Sequence, residues 1–278
     1  MNRRLLALSL PLAACLVVVA AALATLSLRT SDTPAPKAAA PDANDDARAG
    51  APRLTPESNV CQGILHRPDP GAARIFSAEY TQRREANGII IVGNATVDEK
   101  AMDEAAKTVT RFFANNDLET PLAAEGAYVI VAAGSQGVLD LPEFRCMDSA
   151  ASQELFSHVC GVADRADYPV VTVNERDLLG RRDGPCAGLN ILYHELGHLV
   201  QGWTLGPADY IDVRLFYQDA LNAGKYRRDY AATNSNEYFA SATQAYFLHT
   251  DAEGQHGRDW LRTYDPQIFA LVERVYGD

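Results

Sequence analysis

The sequence predicts an α+β fold, in which a small mixed β-sheet with one helix across it is followed by a helical C-terminal half. Two observations carry this prediction. Short β-branched runs, which are typical of strands, lie in the first part of the globular region, within residues 88–179. Beyond that stretch, apolar side chains recur at the spacing of amphipathic helices. The chain has 278 residues, 47% of them hydrophobic, which suffices for a sizeable core in one or two domains.

Three runs predict strands, and one predicts the helix that crosses them. The strand candidates are residues 88–97, 127–137 and 168–179, and the last of them ends in charged residues. Residues 98–116 begin with acidic side chains and then repeat apolar positions at nearly helical spacing, which favours a helix after the first strand.

The N-terminus carries a separate signal. Arg3 and Arg4 precede an almost wholly apolar stretch, Leu5 to Leu28, which indicates contact with a membrane. Residues 1–29 are therefore either a signal peptide, with cleavage after Ala24, or an uncleaved membrane anchor. A third alternative, acylation of Cys15 in a lipobox-like LAAC, is the least supported because an apolar segment follows it.

The rest of the chain divides into a spacer and one globular domain. Residues 30–59 are rich in alanine, proline and aspartate, and are expected to form a flexible linker. Residues 60–278 form the predicted domain. We expect an exported protein of the cell envelope, periplasm or exterior, touching a membrane only through its N-terminal segment. A formal net charge of −11 without a lysine or arginine run argues against nucleic acid as a partner.

Four cysteines lie beyond the linker: Cys61, Cys146, Cys160 and Cys186. An even count in an exported chain favours two disulfides among three possible pairings. Proximity in sequence weakly favours Cys146 with Cys160 or Cys160 with Cys186, and buried free thiols are the alternative. The spacings do not fit a structural zinc site of the Cys-x₂₋₄-Cys kind.

The segment 189–202, LNILYHELGHLVQG, holds two histidines four residues apart, with a glutamate directly after the first. Residues four apart on a helix lie on one side of it, so His194 and His198 can present two imidazoles to a single metal ion. Glu195 is turned one position around the helix and can act as general base toward a water molecule at the metal. The alternative is a pair of structural histidines on one helix face.

A catalytic zinc ion takes three protein ligands, so a third ligand is required. The metzincin arrangement needs a glycine at position 201 and a histidine at position 204, and it is excluded because Gln201 and Thr204 stand there. Asp209 and Asp212 are close enough in sequence to be candidates. Glu237 is preferred, since it falls in the first turn of another predicted helix.

That helix is predicted over residues 232–249, which begin with polar cap-type residues and continue with apolar positions at helical spacing. Ala240 and Ser241 share the face of Glu237, and Gly197 removes bulk from the first helix. The two helices can therefore approach closely, and Glu237 can reach the metal. Otherwise Glu237 would only favour its helix N-terminus electrostatically.

The HELGH motif at 194–198, followed by NEYFASATQAYF at 236–247, resembles the gluzincin group, which includes the anthrax lethal factor catalytic domain and MtfA-like peptidases. VNERDLLG before the motif and YDPQIFALVERVYG near the C-terminus resemble segments of uncharacterised secreted zincins. The resemblance covers about residues 165–278. It implies a zincin-like fold, one catalytic Zn²⁺ ion, the ligands His194, His198 and Glu237, and a peptide or protein substrate.

In the lethal-factor type a tyrosine seven residues before the ligand glutamate assists the transition state. The matching position here is Tyr230, with Tyr226 and Tyr238 as nearby alternatives. One departure from the relatives is ASATQ after Phe239, where they tend to keep a second acid.

Two hypotheses of different class follow for the function. The first is a zinc-dependent peptidase, in particular an endopeptidase, that uses Glu195 as general base. The second is a catalytically silent zinc-binding module with a regulatory or partner-binding role, which would have no need of that glutamate. A hydrolase of non-peptide amides would use the same residues as the peptidase. Asn190, Glu175 and Asp219 are possible residues for orienting the histidines.

Overall fold

The structure is a computed structural model that describes residues 76–147, 150–156, 159–163, 169–181, 190–248 and 256–277. The N-terminal segment 1–29, the linker 30–59, Cys61 and Cys186 lie outside these residues, so the predictions made for them remain predictions. Within the described ranges, no helix combines the length and the apolar character needed to cross a membrane.

A five-stranded mixed sheet forms the first half of the domain, which confirms the predicted α+β class. Its strands are β1 (Tyr80–Ala86), β2 (Ile89–Asn94), β3 (Tyr128–Ala132), β4 (Gly161–Ala163) and β5 (Val170–Asn174), arranged in the order β1-β2-β3-β5-β4. The three central strands run parallel, and each edge strand is antiparallel to its neighbour. The sheet thus has β1 at one edge and β4 at the other.

Nine helices are described. They are α1 (Glu99–Phe112), α2 (Glu119–Ala124), α3 (Ala150–Phe156), α4 (Glu175–Leu178), α5 (Ile191–Trp203), α6 (Pro207–Asn222), α7 (Ser235–Phe247), α8 (Arg258–Tyr264) and α9 (Pro266–Tyr276). Short 3-10 turns span Val138–Asp140, Arg145–Met147 and Tyr230–Ala232. The largest apolar cluster joins one face of the sheet to α1, α5, α7 and α9, so the helical half packs on that face of the sheet.

The three predicted strands correspond to β2, β3 and β5, but their predicted bounds are too long. The third predicted strand, 168–179, ends at Asn174, and its charged end forms α4 instead. Asn174 causes the change because its side chain accepts the backbone N–H of Arg176 and caps the new helix. The edge strands β1 and β4 were not predicted from the sequence.

The acidic residues of α4 connect the sheet to α5. The carboxylate of Glu175 accepts the backbone N–H groups of Asp98 and Gly134, both at 2.7 Å. Asp177 accepts the N–H of Ile191, the first residue of α5, at 2.8 Å. Asn190 precedes α5 in a left-handed conformation, with φ of 54°, and does not cap the helix with its own side chain. The start of α5 is therefore fixed by α4.

Cys146 and Cys160 each take part in a disulfide bond. Cys160 is buried and packs beside Ile191, with Tyr230 against them. Because Cys61 and Cys186 lie outside the described residues, the pairing of the four cysteines stays a prediction.

Helices α5 and α7 approach each other closely at Gly197. A Cβ atom at this position would lie 2.9 Å from Cβ of Thr243, closer than real Cβ atoms come to a neighbour. The hydroxyl group of Thr243 hydrogen-bonds that of Tyr276 at 2.9 Å, so the threonine is held in place by α9. The sequence placed the small residues Ala240 and Ser241 on the contact face, and the structure places Thr243 opposite Gly197.

We expect Gly197→Ala to lower the free energy of unfolding by about 1–3 kcal/mol, because the added methyl group must displace Thr243 or separate the two helices. Chemical denaturation followed by circular dichroism measures this loss. Gly206→Ala is the matched control, since its nearest neighbour would lie 4.0 Å from the new Cβ. Equal stabilities of the two variants would contradict the close contact.

Candidate metal centre

Two helices supply the side chains of the centre. His194 and His198 lie one turn apart on α5, with their ring centroids 4.8 Å apart. Glu237 lies in the first turn of α7, as the sequence predicts. Asn234 caps that turn by accepting the backbone N–H groups of Asn236 and Glu237, at 2.9 and 3.0 Å. The cap fixes the turn from which the glutamate extends toward α5.

The three side chains converge on one point. Oε2 of Glu237 lies 3.1 Å from Nε2 of His194 and 3.2 Å from Nε2 of His198. The three candidate ligand atoms all lie within 4.8 Å of one another, and all three residues are buried. A carboxylate and two imidazoles enclosed in this way are a costly arrangement unless the groups neutralise one another or bind a cation.

The electrostatics of the cluster reflect this pairing. Burial opposes the charged form of Glu237, but the adjacent imidazoles of His198 and His194 outweigh it and hold the pKa of the Glu237 carboxyl far below its usual range. Burial likewise opposes the charged form of His194, yet its pKa is raised by the Glu237 and Glu195 carboxylates. The cluster therefore favours a carboxylate facing positive charge, which a metal dication can supply.

The donor set fits zinc. Two imidazole nitrogens and one carboxylate oxygen are the ligands of the His₂Glu catalytic zinc sites, which leave a fourth position open. The second oxygen of Glu237, Oε1, is buried without a hydrogen-bond partner, so it is free to approach a bound ion. Among the described residues, His194, His198 and Glu237 are the one group of His, Cys, Asp or Glu side chains close enough together to hold a metal ion.

Glu195 is fully buried beside the two histidines. Edge strand β4 passes directly over it: a Cβ atom on Gly161 would lie 2.9 Å from Cγ of Glu195 and 2.7 Å from the backbone oxygen of Thr172. Only a glycine lets the strand come this close. That β4 borders the site was not predicted, because a strand of three buried residues shows no recognisable sequence pattern.

Of the three candidate tyrosines, Tyr230 is the one beside the metal cluster. Its ring centroid lies 6.0 Å from that of His194, and the side chain is half-buried in the 3-10 turn before α7. Tyr226 and Tyr238 instead pack edge-on against each other in the core, with their ring centroids 5.4 Å apart. The hydroxyl of Tyr238 donates to Asp265 at 2.7 Å.

The other acidic candidates are occupied elsewhere. Asp209 and Asp212 lie on α6 and face Arg274 of α9, at 2.5 and 3.9 Å. Glu175 binds the two backbone N–H groups described above, and Asp219 is exposed on α6. None of these carboxylates belongs to the metal cluster.

Sequence reasoning missed Gln244, whose side chain hydrogen-bonds that of His194. This residue lies in the ASATQ segment, where the relatives tend to keep an acid. An amide thus orients one metal-facing imidazole, a role that a carboxylate or a backbone carbonyl often has in zinc sites. The spacing showed only that position 244, two helical turns after Glu237, shares its helix face; the contact with His194 depends on where α7 crosses α5.

Two histidines on one helix, completed by a glutamate from the start of a second, form the ligand arrangement of zincin-type sites and could hold a metal ion. The family model described as anthrax toxin lethal factor, N- and C-terminal domain, matches residues 77–275. The chain belongs to this family, which is associated with zinc metalloproteases. The match extends the resemblance beyond residues 165–278 to include the sheet. No curated protein matches the chain.

Proposed function

We propose that the chain is a zinc-dependent peptidase that cleaves within peptide chains. The observation that carries the proposal is the convergence of His194, His198 and Glu237 next to the buried carboxyl group of Glu195. A module that only binds zinc would need the first three residues but not the fourth. We further propose that it acts outside the cytoplasm, as the N-terminal segment and the four cysteines suggest.

Each residue has a separate task in this proposal. His194, His198 and Glu237 would hold the zinc ion, which when bound polarises the scissile carbonyl and lowers the pKa of water to about 7. Glu195 takes a proton from the attacking water and delivers it to the leaving amine. Tyr230 donates a hydrogen bond from its hydroxyl to the oxygen that becomes negative. Gln244 keeps His194 in its orientation.

The burial of Glu195 supports its role as the base. A carboxylate that is shielded from bulk water exchanges protons with the reacting groups rather than with solvent, and its interactions are stronger in a medium of low dielectric. The close passage of β4 over Glu195, at Gly161, restricts the glutamate side chain further. We expect this restriction to reduce the reorganisation needed during proton transfer.

A peptide-mixture assay tests the proposal. The full chain, loaded with zinc, is expected to cleave internal bonds of a mixed peptide library, and a chelator is expected to abolish the cleavage. Adding zinc back should restore it, while circular dichroism remains unchanged throughout. Cleavage that persists after complete removal of metal, or the absence of any cleavage by zinc-loaded protein, would rule out a zinc peptidase.

For Tyr230→Phe we expect kcat to fall about 10²- to 10³-fold with little change in KM, because the hydroxyl would stabilise charge that develops only in the transition state. Steady-state kinetics on one peptide from the library measures both constants. Tyr210→Phe is the control, since that ring is exposed on α6. A rise in KM at constant kcat would instead assign Tyr230 to substrate binding.

A further inference from the structure

Residues 223–229 connect α6 to the 3-10 turn that carries Tyr230, and we call them the arginine loop. Three residues of this loop have positive φ: Gly224 at 72°, Tyr226 at 56° and Arg228 at 66°. Glycine adopts such values freely, but the other two are L residues with a side chain. Strained backbone of this kind persists only where the surrounding structure holds it, and it is common at functional sites.

The core holds the arginine loop from below. Tyr226 is buried, and its backbone N–H donates to the hydroxyl of Tyr264 at 2.9 Å. The N–H of Asp229 then donates to the carbonyl of Tyr226 at 2.9 Å, and the Asp229 carboxylate accepts the N–H of Ala231. These bonds link the buried anchor at Tyr226 continuously to Tyr230. The loop is therefore a fixed part of the site's border.

Of the three basic residues in the arginine loop, only Lys225 forms an ion pair with another described residue. Lys225 pairs with Asp265 at 3.3 Å. Arg227 and Arg228 are both exposed, and within the described part of the chain neither has an acidic partner at salt-bridge distance. Asp229 is the nearest acid in sequence, and its carboxylate caps the 3-10 turn. Two arginines thus face solvent on a rigid loop in a chain whose net charge is −11.

These arginines lie near the metal cluster. Arg228 is two residues from Tyr230, so their Cα atoms are at most about 7 Å apart. Tyr230 in turn contacts the ring of His194. A substrate that extends from the cluster past Tyr230 would run alongside the arginine loop, where its charged side chains can interact with the guanidinium groups.

We infer that the arginine loop selects peptides with an aspartate or glutamate close to the scissile bond. This inference rests on the proposed function, since it names the substrate class of the same site. Guanidinium groups form paired hydrogen bonds with carboxylates, and a loop already held in shape loses little entropy when it binds one. Elsewhere on the protein the excess of acidic side chains would repel an acidic peptide. The preference for an acid is therefore confined to those substrate positions that reach the arginine loop.

The test compares matched peptides in which one position at a time is aspartate or asparagine, glutamate or glutamine, or lysine. We expect kcat/KM to be about three- to tenfold higher for the acid than for its amide at one or two positions. The preference should shrink as salt rises to about 0.5 M. Uncleaved peptide analogues, followed by fluorescence anisotropy, report the same preference as binding, independently of turnover.

Two double variants probe the arginines. Arg227→Glu/Arg228→Glu should invert the preference in favour of lysine, and Arg227→Gln/Arg228→Asn should abolish it. The second pair guards against misfolding, because asparagine tolerates the left-handed conformation at position 228. Arg83→Glu/Lys100→Glu is the control for the charge-reversing pair, because it changes the net charge by the same amount. Arg83 lies on β1 and Lys100 on α1, away from the β4 edge. It should keep the acidic preference.

The outcomes separate the two proposals. Chelator-sensitive cleavage without any acidic preference would overturn the role of the arginine loop and leave the peptidase intact. A preference that survives both arginine double variants would also overturn it. Selective binding of acidic peptides without cleavage, lost in the arginine variants, would support the loop and contradict the peptidase.

Discussion

Replacing Glu195 with glutamine is expected to lower the rate of peptide hydrolysis by about 10²- to 10⁴-fold, the usual contribution of a general base. The substitution keeps the size of the side chain, so the contact of its Cγ atom with Gly161 is retained. It removes only the ability to accept and return a proton. Because Glu195 is not one of the three side chains that surround the metal position, zinc content should not change.

The measurement is the initial rate of cleavage of a single peptide at equal zinc content, which is determined by metal analysis of the purified proteins. Glu104→Gln provides a control with the same chemical change on α1, where the glutamate pairs with Lys107 at the surface. Equal rates for wild type and Glu195→Gln would remove the enzyme hypothesis and favour a zinc-binding module.

Replacing Glu237 with alanine is expected to weaken zinc binding by at least about a hundredfold. Loss of a residue that only supports a ligand typically costs 10- to 100-fold in metal affinity, so loss of a ligand itself should cost more. The variant also leaves His194 and His198 without the carboxylate that both imidazoles face at 3.1 and 3.2 Å. Activity should fall with the zinc content.

Competition with a chromophoric chelator measures the affinity. Glu99→Ala is the matched control, because Glu99 lies in the first turn of α1 as Glu237 does in α7. Glu99→Ala removes an acid from a helix N-terminus without touching the metal site. It should cost only about 0.3–1 kcal/mol of stability and leave the zinc affinity unchanged. Unchanged zinc affinity in Glu237→Ala would assign this residue to its helix alone.

The metal cluster could be predicted because its signals are local. A histidine pair at helical spacing places both rings on one side of α5, and a polar cap at Asn234 places Glu237 in the first turn of α7. The convergence of the two helices was also predictable in outline from Gly197. Which residue faces that glycine was not, because the contact depends on the rotation of α7 about its axis, which Tyr276 helps to fix through Thr243.

The sheet edges illustrate what the sequence does not encode locally. Strand β4 is only three residues long, Gly161–Ala163, and all three are buried, so it shows no alternation. Its position is set by pairing with β5, a tertiary contact. In strand β1 half-buried and exposed residues alternate, and most of them are charged or polar. This pattern is typical of a surface segment. The orienting role of Gln244 likewise depends on where α7 crosses α5.

The hydrogen bond from the Ile191 N–H to Asp177 bears on how the proposed metal site would take up an ion. Asp177 fixes the start of α5 and Asn234 caps α7, and neither contact involves His194, His198 or Glu237, so we expect both helices to form without a bound ion. Loading is then a fit into a preformed socket rather than a folding event, unlike zinc fingers, whose architecture collapses without metal. The zinc-free protein is therefore expected to stay folded. Under the proposed function, a shortage of zinc would then lower the activity reversibly, without unfolding the protein.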